Sequence, residues 1–206
     1  MAKKVHPRGL LSSSSSSAPC YFSSKRETFT IWMKSLVLNG KGCTVFDSDG
    51  HIMYRVDNYN SKSNNEVYLM DFDGGVLFTI LKKRYFRLFG SWEGYKSTGK
   101  VETNPKRPDF LVRQSFNMLR RNSDCEVILG LDNNHPYNYA MTSLNGKCAC
   151  KIVDNFGDTV AELKRKEARS GVVFGEDVLS MEVKPCVDLS LVMGLLVVYG
   201  LINSLM

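Results

Sequence analysis

The sequence predicts a mainly β domain, a barrel or sandwich of about ten to twelve short strands closed over one apolar C-terminal helix. Three observations predict it: one hairpin device used repeatedly, β-prone runs at regular spacing with turn residues between them, and a charge-free segment from Leu189 to Met206.

The hairpin device is a β run, an Asp/Gly turn and a second β run. It joins Gly42–Phe46 to Ile52–Val56 through Asp47-Ser48-Asp49-Gly50. It joins Glu66–Met70 to Val76–Ile80 through Asp71-Phe72-Asp73-Gly74-Gly75. It joins Ala149–Val153 to Thr159–Leu163 through Asp154-Asn155-Phe156-Gly157-Asp158. Asp offers its carboxylate to nearby backbone N–H groups in such turns, and Gly takes the positive φ. Further strands are predicted at Thr28–Met33, Arg84–Phe89 (with Gly90–Gly94 as the following turn), Phe110–Gln114, Phe116–Leu119, Cys125–Leu129, Tyr137–Met141, Gly171–Gly175 and Val178–Val183. The segment Asn133–Pro136 reads as a turn.

The exception to this pattern is the C-terminus. Asp188 can cap a helix that begins at Leu189 or Ser190, and the eighteen residues to Met206 would make ~27 Å of helix at ~1.5 Å each. A membrane span is the alternative, but Ser190, Asn203 and Ser204 shorten the apolar part to Leu191–Ile202, below the length a bilayer needs. Many half-buried strands need an apolar filling, so the helix is assigned to the core. Leu191, Leu195, Leu196, Val197, Val198, Leu201 and Ile202 are its predicted core positions.

Composition bounds the rest. Apolar residues make up 43% and charged residues 23% of the 206-residue chain, an ordinary globular balance. Residues 1–24 hold the unbroken run Ser12–Ser17, with basic residues and no acid before Glu27, and are expected to be a disordered tail preceding one domain at 25–206. A transit peptide is the alternative for this stretch. Of the formal charge of +6, Lys3, Lys4, Arg8, Lys25, Arg26 and Glu27 together supply +4, so the domain itself is only mildly basic. The N-terminus lacks the apolar run of a secretory signal. The six cysteines are therefore read as reduced thiols of a cytoplasmic or nuclear protein, with Cys43, Cys125 and Cys148 as core hydrophobes.

No catalytic or cofactor chemistry is predicted. Cys148-Ala149-Cys150 with His135 offers one close pair where structural zinc needs two. Asp47–Gly50 and Asp71–Gly74 lack the remaining oxygen ligands of a calcium loop, and hairpin turns explain them. His6, His51 and His135 belong to no nucleophile–base motif, and Gly171–Gly175 lacks the Lys-Ser/Thr of a phosphate loop.

Electrostatic binding remains. Lys82, Lys83, Arg84 and Arg87, with Tyr85, Phe86, Phe89 and Trp92 among them, form the first candidate surface for an anionic ligand. Lys100, Lys106, Arg107 and Arg113 form a second group, Arg120-Arg121 a third, and Lys164-Arg165-Lys166 with Arg169 a fourth. Solvated loops and guarded strand edges are the structural alternative.

These segments together resemble the plant LURP-one-related family, in the fold group of tubby C-terminal-like domains and phospholipid scramblases. The resemblance rests on Val45–Gly50 with Tyr54–Tyr59, on Leu69–Gly74, on Leu81–Lys83 through Trp92–Tyr95, and on the closing helix, and it covers Glu27 to Met206. It implies a twelve-stranded closed barrel around a central, buried C-terminal helix. It implies a non-enzymatic binding or adaptor protein connected with pathogen defence, acting through protein partners. An anionic-phospholipid module at a membrane surface, or a membrane-tethered transcription regulator, is the alternative. A monomer without cofactor, without direct nucleic-acid contact and without a membrane span is expected. No lipid-ligand residues of the fold group can be matched to positions here, and the cysteine-rich cluster of scramblases is absent.

Overall fold

The computed structural model of the chain describes residues 22–34, 41–58, 65–85, 89–97, 107–114, 124–130, 137–144, 148–168 and 170–206. Several expectations lie outside these residues: the serine run, the strand at Phe116–Leu119, the turn at Asn133–Pro136, and Arg87, Lys100, Lys106, Arg120, Arg121 and Arg169.

Twelve antiparallel strands close into one barrel. They are β1 (Glu27–Trp32), β2 (Lys41–Phe46), β3 (Ile52–Asn58), β4 (Glu66–Asp71), β5 (Val76–Tyr85), β6 (Phe89–Lys96), β7 (Phe110–Gln114), β8 (Cys125–Leu129), β9 (Tyr137–Ser143), β10 (Cys150–Val153), β11 (Thr159–Arg165) and β12 (Val178–Val183). Each pairs with its neighbours in sequence, and β1 closes the ring against β12 with Glu27 opposite Val183. Closure leaves no open edge along the wall. Phe22 bridges Asp188, and Ser23 O accepts from Cys186 N, so the chain is tied to the barrel before β1 begins.

The three repeated turns share one geometry. In each, the first Asp accepts from backbone N–H groups further on: Asp47 Oδ1 from Asp49 and His51, Asp71 Oδ1 from Gly75, and Asp154 Oδ1 from Phe156 and Asp158. Gly50, Gly74 and Gly157 follow with φ of 87°, 88° and 83°. This is a tight turn closed by a left-handed glycine, and each hairpin shifts register beside it. All three turns lie at the same end of the barrel.

The helix α1 (Leu189–Ile202) enters at that end and crosses the lumen. Val192, Met193 and Leu195 to Tyr199 are all buried, so the helix is apolar on every side because strands surround it. Leu191, Leu201 and Ile202 are half-buried and pack against the same core. Among the described residues no helix is long and apolar enough to cross a membrane. The helix stops earlier than the sequence predicts. Asn203 N and Nδ2 both donate to Tyr199 O, Ser204 takes φ 57°, and Leu205 N donates to Gly200 O, a left-handed cap that ends the helix before Met206.

Two strand expectations are corrected. The described residues of Arg84–Phe89 belong to two strands, Arg84 and Tyr85 to the end of β5 and Phe89 to the start of β6, and Gly90–Gly94 lies inside β6 rather than in a turn. Gly94 is placed by packing, since a Cβ there would stand 2.1 Å from the Phe110 ring. Phe110 also meets Gly194 of α1 and lies 5.5 Å from Phe78, so two glycines make room for one aromatic wedge between wall and helix. Gly171–Gly175 is not a wall strand. It forms part of an exposed ribbon held by the bridge of Glu167 to Val173 and by backbone hydrogen bonds of Lys166 and Ala168.

Candidate functional site

Of the first predicted surface, the structure describes the side chains of Lys82 and Lys83, which lie on opposite faces of β5. Phe78 and Ile80 of β5 face the lumen, so period-two alternation turns Lys82 toward the lumen mouth and Lys83 outward. Lys82 Nζ stands 5.3 Å over the ring of buried Trp92. Lys83 Nζ lies 3.8 Å from Glu93 Oε2, which also accepts from Tyr95 Oη at 2.6 Å. The Arg84 side chain lies outside the described residues.

Topology sorts the other basic groups. Arg113 and Lys164–Lys166 sit at the end where α1 finishes, together with Lys82 and Lys83, whereas Arg107 sits at the opposite end. Their cations are partly engaged: Lys164 with Glu182 at 3.1 Å, Arg165 with Glu176 at 2.6 Å, and Lys166 with Thr30 Oγ1 at 2.5 Å. Hydrogen bonding from Lys164, helped by its charge and by Arg26, holds the Glu182 carboxyl below its usual range.

At the turn end, Asp47, Asp49 and His51 bring ligand atoms within 4.8 Å of one another. The turn itself accounts for this. Oδ1 of Asp47 is engaged by two backbone N–H groups, and Oδ2 lies 3.3 Å from His51 Nδ1. The backbone bond from His51 is the largest influence lowering the Asp47 pKa.

The close cysteine pair is core. Cys148 and Cys150 are buried, as are Cys43 and Cys125, and Cys148 Sγ reaches Glu176 O at 3.8 Å. Burial pushes the thiols of Cys125 and Cys150 up to about 12, which removes them as nucleophiles. Tyr199 closes the same region, with Oη donating to Ala149 O at 3.2 Å and lying 3.3 Å from Ser143 Oγ. Beside it the lumen keeps a small void of ≈ 10 Å³, lined by Met141, Cys150, Leu163, Met181 and Leu196.

Comparison with known proteins agrees with this architecture. The family model described as LURP-one-related matches residues 27–200. The chain belongs to the LURP-one-related family. Protein LURP-one-related 11 of Arabidopsis thaliana is 44% identical over 210 residues, covering 98% of this chain and 90% of that protein. LURP-one-related 4 of the same plant is 42% identical over 203 residues, covering 98% and 87%. An X-ray structure of an Arabidopsis thaliana protein superposes with a TM-score of 0.64 over 90% of this chain and 96% of the other; at 15% identity it speaks for the fold alone.

In this LURP-one-related chain, sequence reasoning overlooked the exposed apolar residues of the end loops. Phe72 and Phe156 protrude from two of the repeated turns, and Val172, Val173 and Phe174 from the ribbon. A signal was present for the first two: a phenylalanine within an Asp/Gly turn lies outside the inward-facing series of either strand.

Proposed function

We propose that the chain is a non-catalytic adaptor, a rigid barrel that binds a protein partner on its outer surface in the pathogen-defence setting that the family resemblance implies. The observation that carries this reading is the filled lumen. α1 occupies the space where barrels of other kinds hold small ligands, and the void beside Tyr199 is only ≈ 10 Å³. Recognition therefore falls to the wall and the end loops. Phe72 and Phe156 are suited to this, because the hairpins β4–β5 and β10–β11 hold them diametrically across the barrel mouth on braced turns.

The test is capture from infected and uninfected plant tissue with the intact protein and with a Phe72→Ser/Phe156→Ser variant. The expected result is a partner set that depends on infection and is lost in the variant. Identical background sets for both proteins in both tissues would overturn the reading. An anionic phospholipid surface is the second reading, favoured by the cations at the end where α1 finishes.

A further inference from the structure

We infer that the end of the barrel where α1 finishes faces an anionic bilayer, with Val172, Val173 and Phe174 of the ribbon as its insertion element. This rests on the reading of the chain as an outer-surface binding module and gives that second reading a specific place.

The ribbon forms because the β11–β12 connection keeps pairing beyond the wall. Lys166 N donates to Val178 O, Phe174 N to Lys166 O, and Ala168 N to Val172 O. Val172, Val173 and Phe174 are 64%, 47% and 45% exposed. Three consecutive apolar residues held in water on a projecting element signal an interaction surface. Their support is braced. Asp177, at the ribbon's base, pairs with Lys34 at 2.6 Å, accepts from Trp32 Nε1 at 3.3 Å, and takes the Met33 N–H on its carbonyl at 2.8 Å. Trp32 and Leu144, at the same end, are also exposed.

Charge selects the occupant. The barrel is electrically lopsided along its axis. Asp47, Asp49, Asp73, Asp154 and Asp158 crowd the turn end, while at the ribbon end Lys34, Lys82, Lys83, Arg113, Lys164, Arg165 and Lys166 stand with the ribbon's own acids Glu167, Glu176 and Asp177. Near a negatively charged surface such a molecule turns its ribbon end inward. Exposed apolar residues at the same barrel end as long basic side chains suit the headgroup boundary, where the apolar residues bury and the lysines keep their charge in water. Phe72 and Phe156 sit among carboxylates, so that end is the wrong one for an anionic bilayer.

The full chain is mixed with phosphatidylcholine vesicles and with phosphatidylcholine/phosphatidylserine vesicles, and binding is read by sedimentation and by tryptophan fluorescence. The expected result is binding to the mixed vesicles alone, a loss of tenfold or more in Val172→Asp/Phe174→Asp, and no change in Phe22→Asp, an exposed position at the turn end. Thermal melting establishes that each variant folds, and Val172→Ser/Phe174→Ser replaces the first if it does not. Wild-type protein that ignores anionic vesicles overturns the inference. Equal binding by wild type and ribbon variants overturns the assignment to the ribbon. Ribbon variants that lose captured proteins but keep vesicle binding make the ribbon a protein-docking element and overturn it as well. None of these outcomes touches the adaptor reading, which fails only if the Phe72/Phe156 variant and the wild type capture identical background sets.

Discussion

Lys96 Nζ lies 2.9 Å from Asp188 Oδ2, joining the end of β6 to the residue that caps α1. The same carboxylate receives Ser190 N at 2.9 Å, Leu191 N at 3.2 Å and Ser190 Oγ at 2.6 Å on Oδ1. One side chain thus starts the helix and fastens it to the wall.

Burial raises the pKa of Asp188, but the bonds from Ser190, Lys96 and Leu191 and the charge of Lys96 outweigh it, so the folded carboxyl titrates below its ordinary value of 3.8. Its stabilising contribution is therefore complete above that value and is lost as pH falls through the folded pKa. Asp188→Asn keeps a capping oxygen and removes the charge, whereas Asp188→Ala removes both and should cost about 1–2 kcal/mol from the cap alone. Melting curves from pH 7 down to about 2.5 should show wild type and Asp188→Asn converging at the acid end. A constant gap between them would mean that the charge of Asp188 contributes nothing.

Gly94→Ala should destabilise by about 3 kcal/mol, because the added methyl group would overlap the Phe110 ring, which is wedged between wall and helix. Urea unfolding measures the loss. Phe110→Leu in the same chain should recover part of it by clearing the space; no recovery would place the strain elsewhere.

Thiol reactivity should follow burial. With pKa near 12, Cys125 and Cys150 hold a thiolate fraction of roughly one in ten thousand at pH 8, whereas Cys186 is exposed. Labelling of the native protein with a thiol reagent, followed by peptide mass mapping, should modify Cys186 and spare the peptides containing Cys125 and Cys150 until denaturant is added. Rapid native labelling of Cys150 would show that the lumen opens.

The wall was readable where its signals are local. Asp47, Asp71 and Asp154 announce their turns because the carboxylate bonds to its own loop, and Asp188 announces the cap for the same reason. What was not readable depends on partners far away in sequence. Gly90–Gly94 looks like a turn until Phe110 supplies the reason for a glycine inside β6. Lys82 and Lys83 look like one cluster until the barrel places Trp92 under one and Glu93 beside the other. Gly171–Gly175 has strand composition, but among the described residues it joins no strand of the wall, so its valines stay in water.

The lumen position of α1 makes a severe prediction. Leu196 and Val197 are adjacent on the helix, 2% and 1% exposed, and point to different parts of the wall. Either position replaced by Asp would bury an acid with no hydrogen-bond partner supplied, on top of the lost apolar contact. Each effect is worth several kcal/mol against a total stability of about 5–15 kcal/mol. Leu196→Asp and Val197→Asp should therefore both abolish cooperative folding, while Leu196→Ala, beside the existing void, should lower stability by about 2–5 kcal/mol and still fold. Circular dichroism melts separate the cases. A helix with one face in water would tolerate Asp at one of the two sites; a wild-type melting temperature for either variant would take α1 out of the lumen.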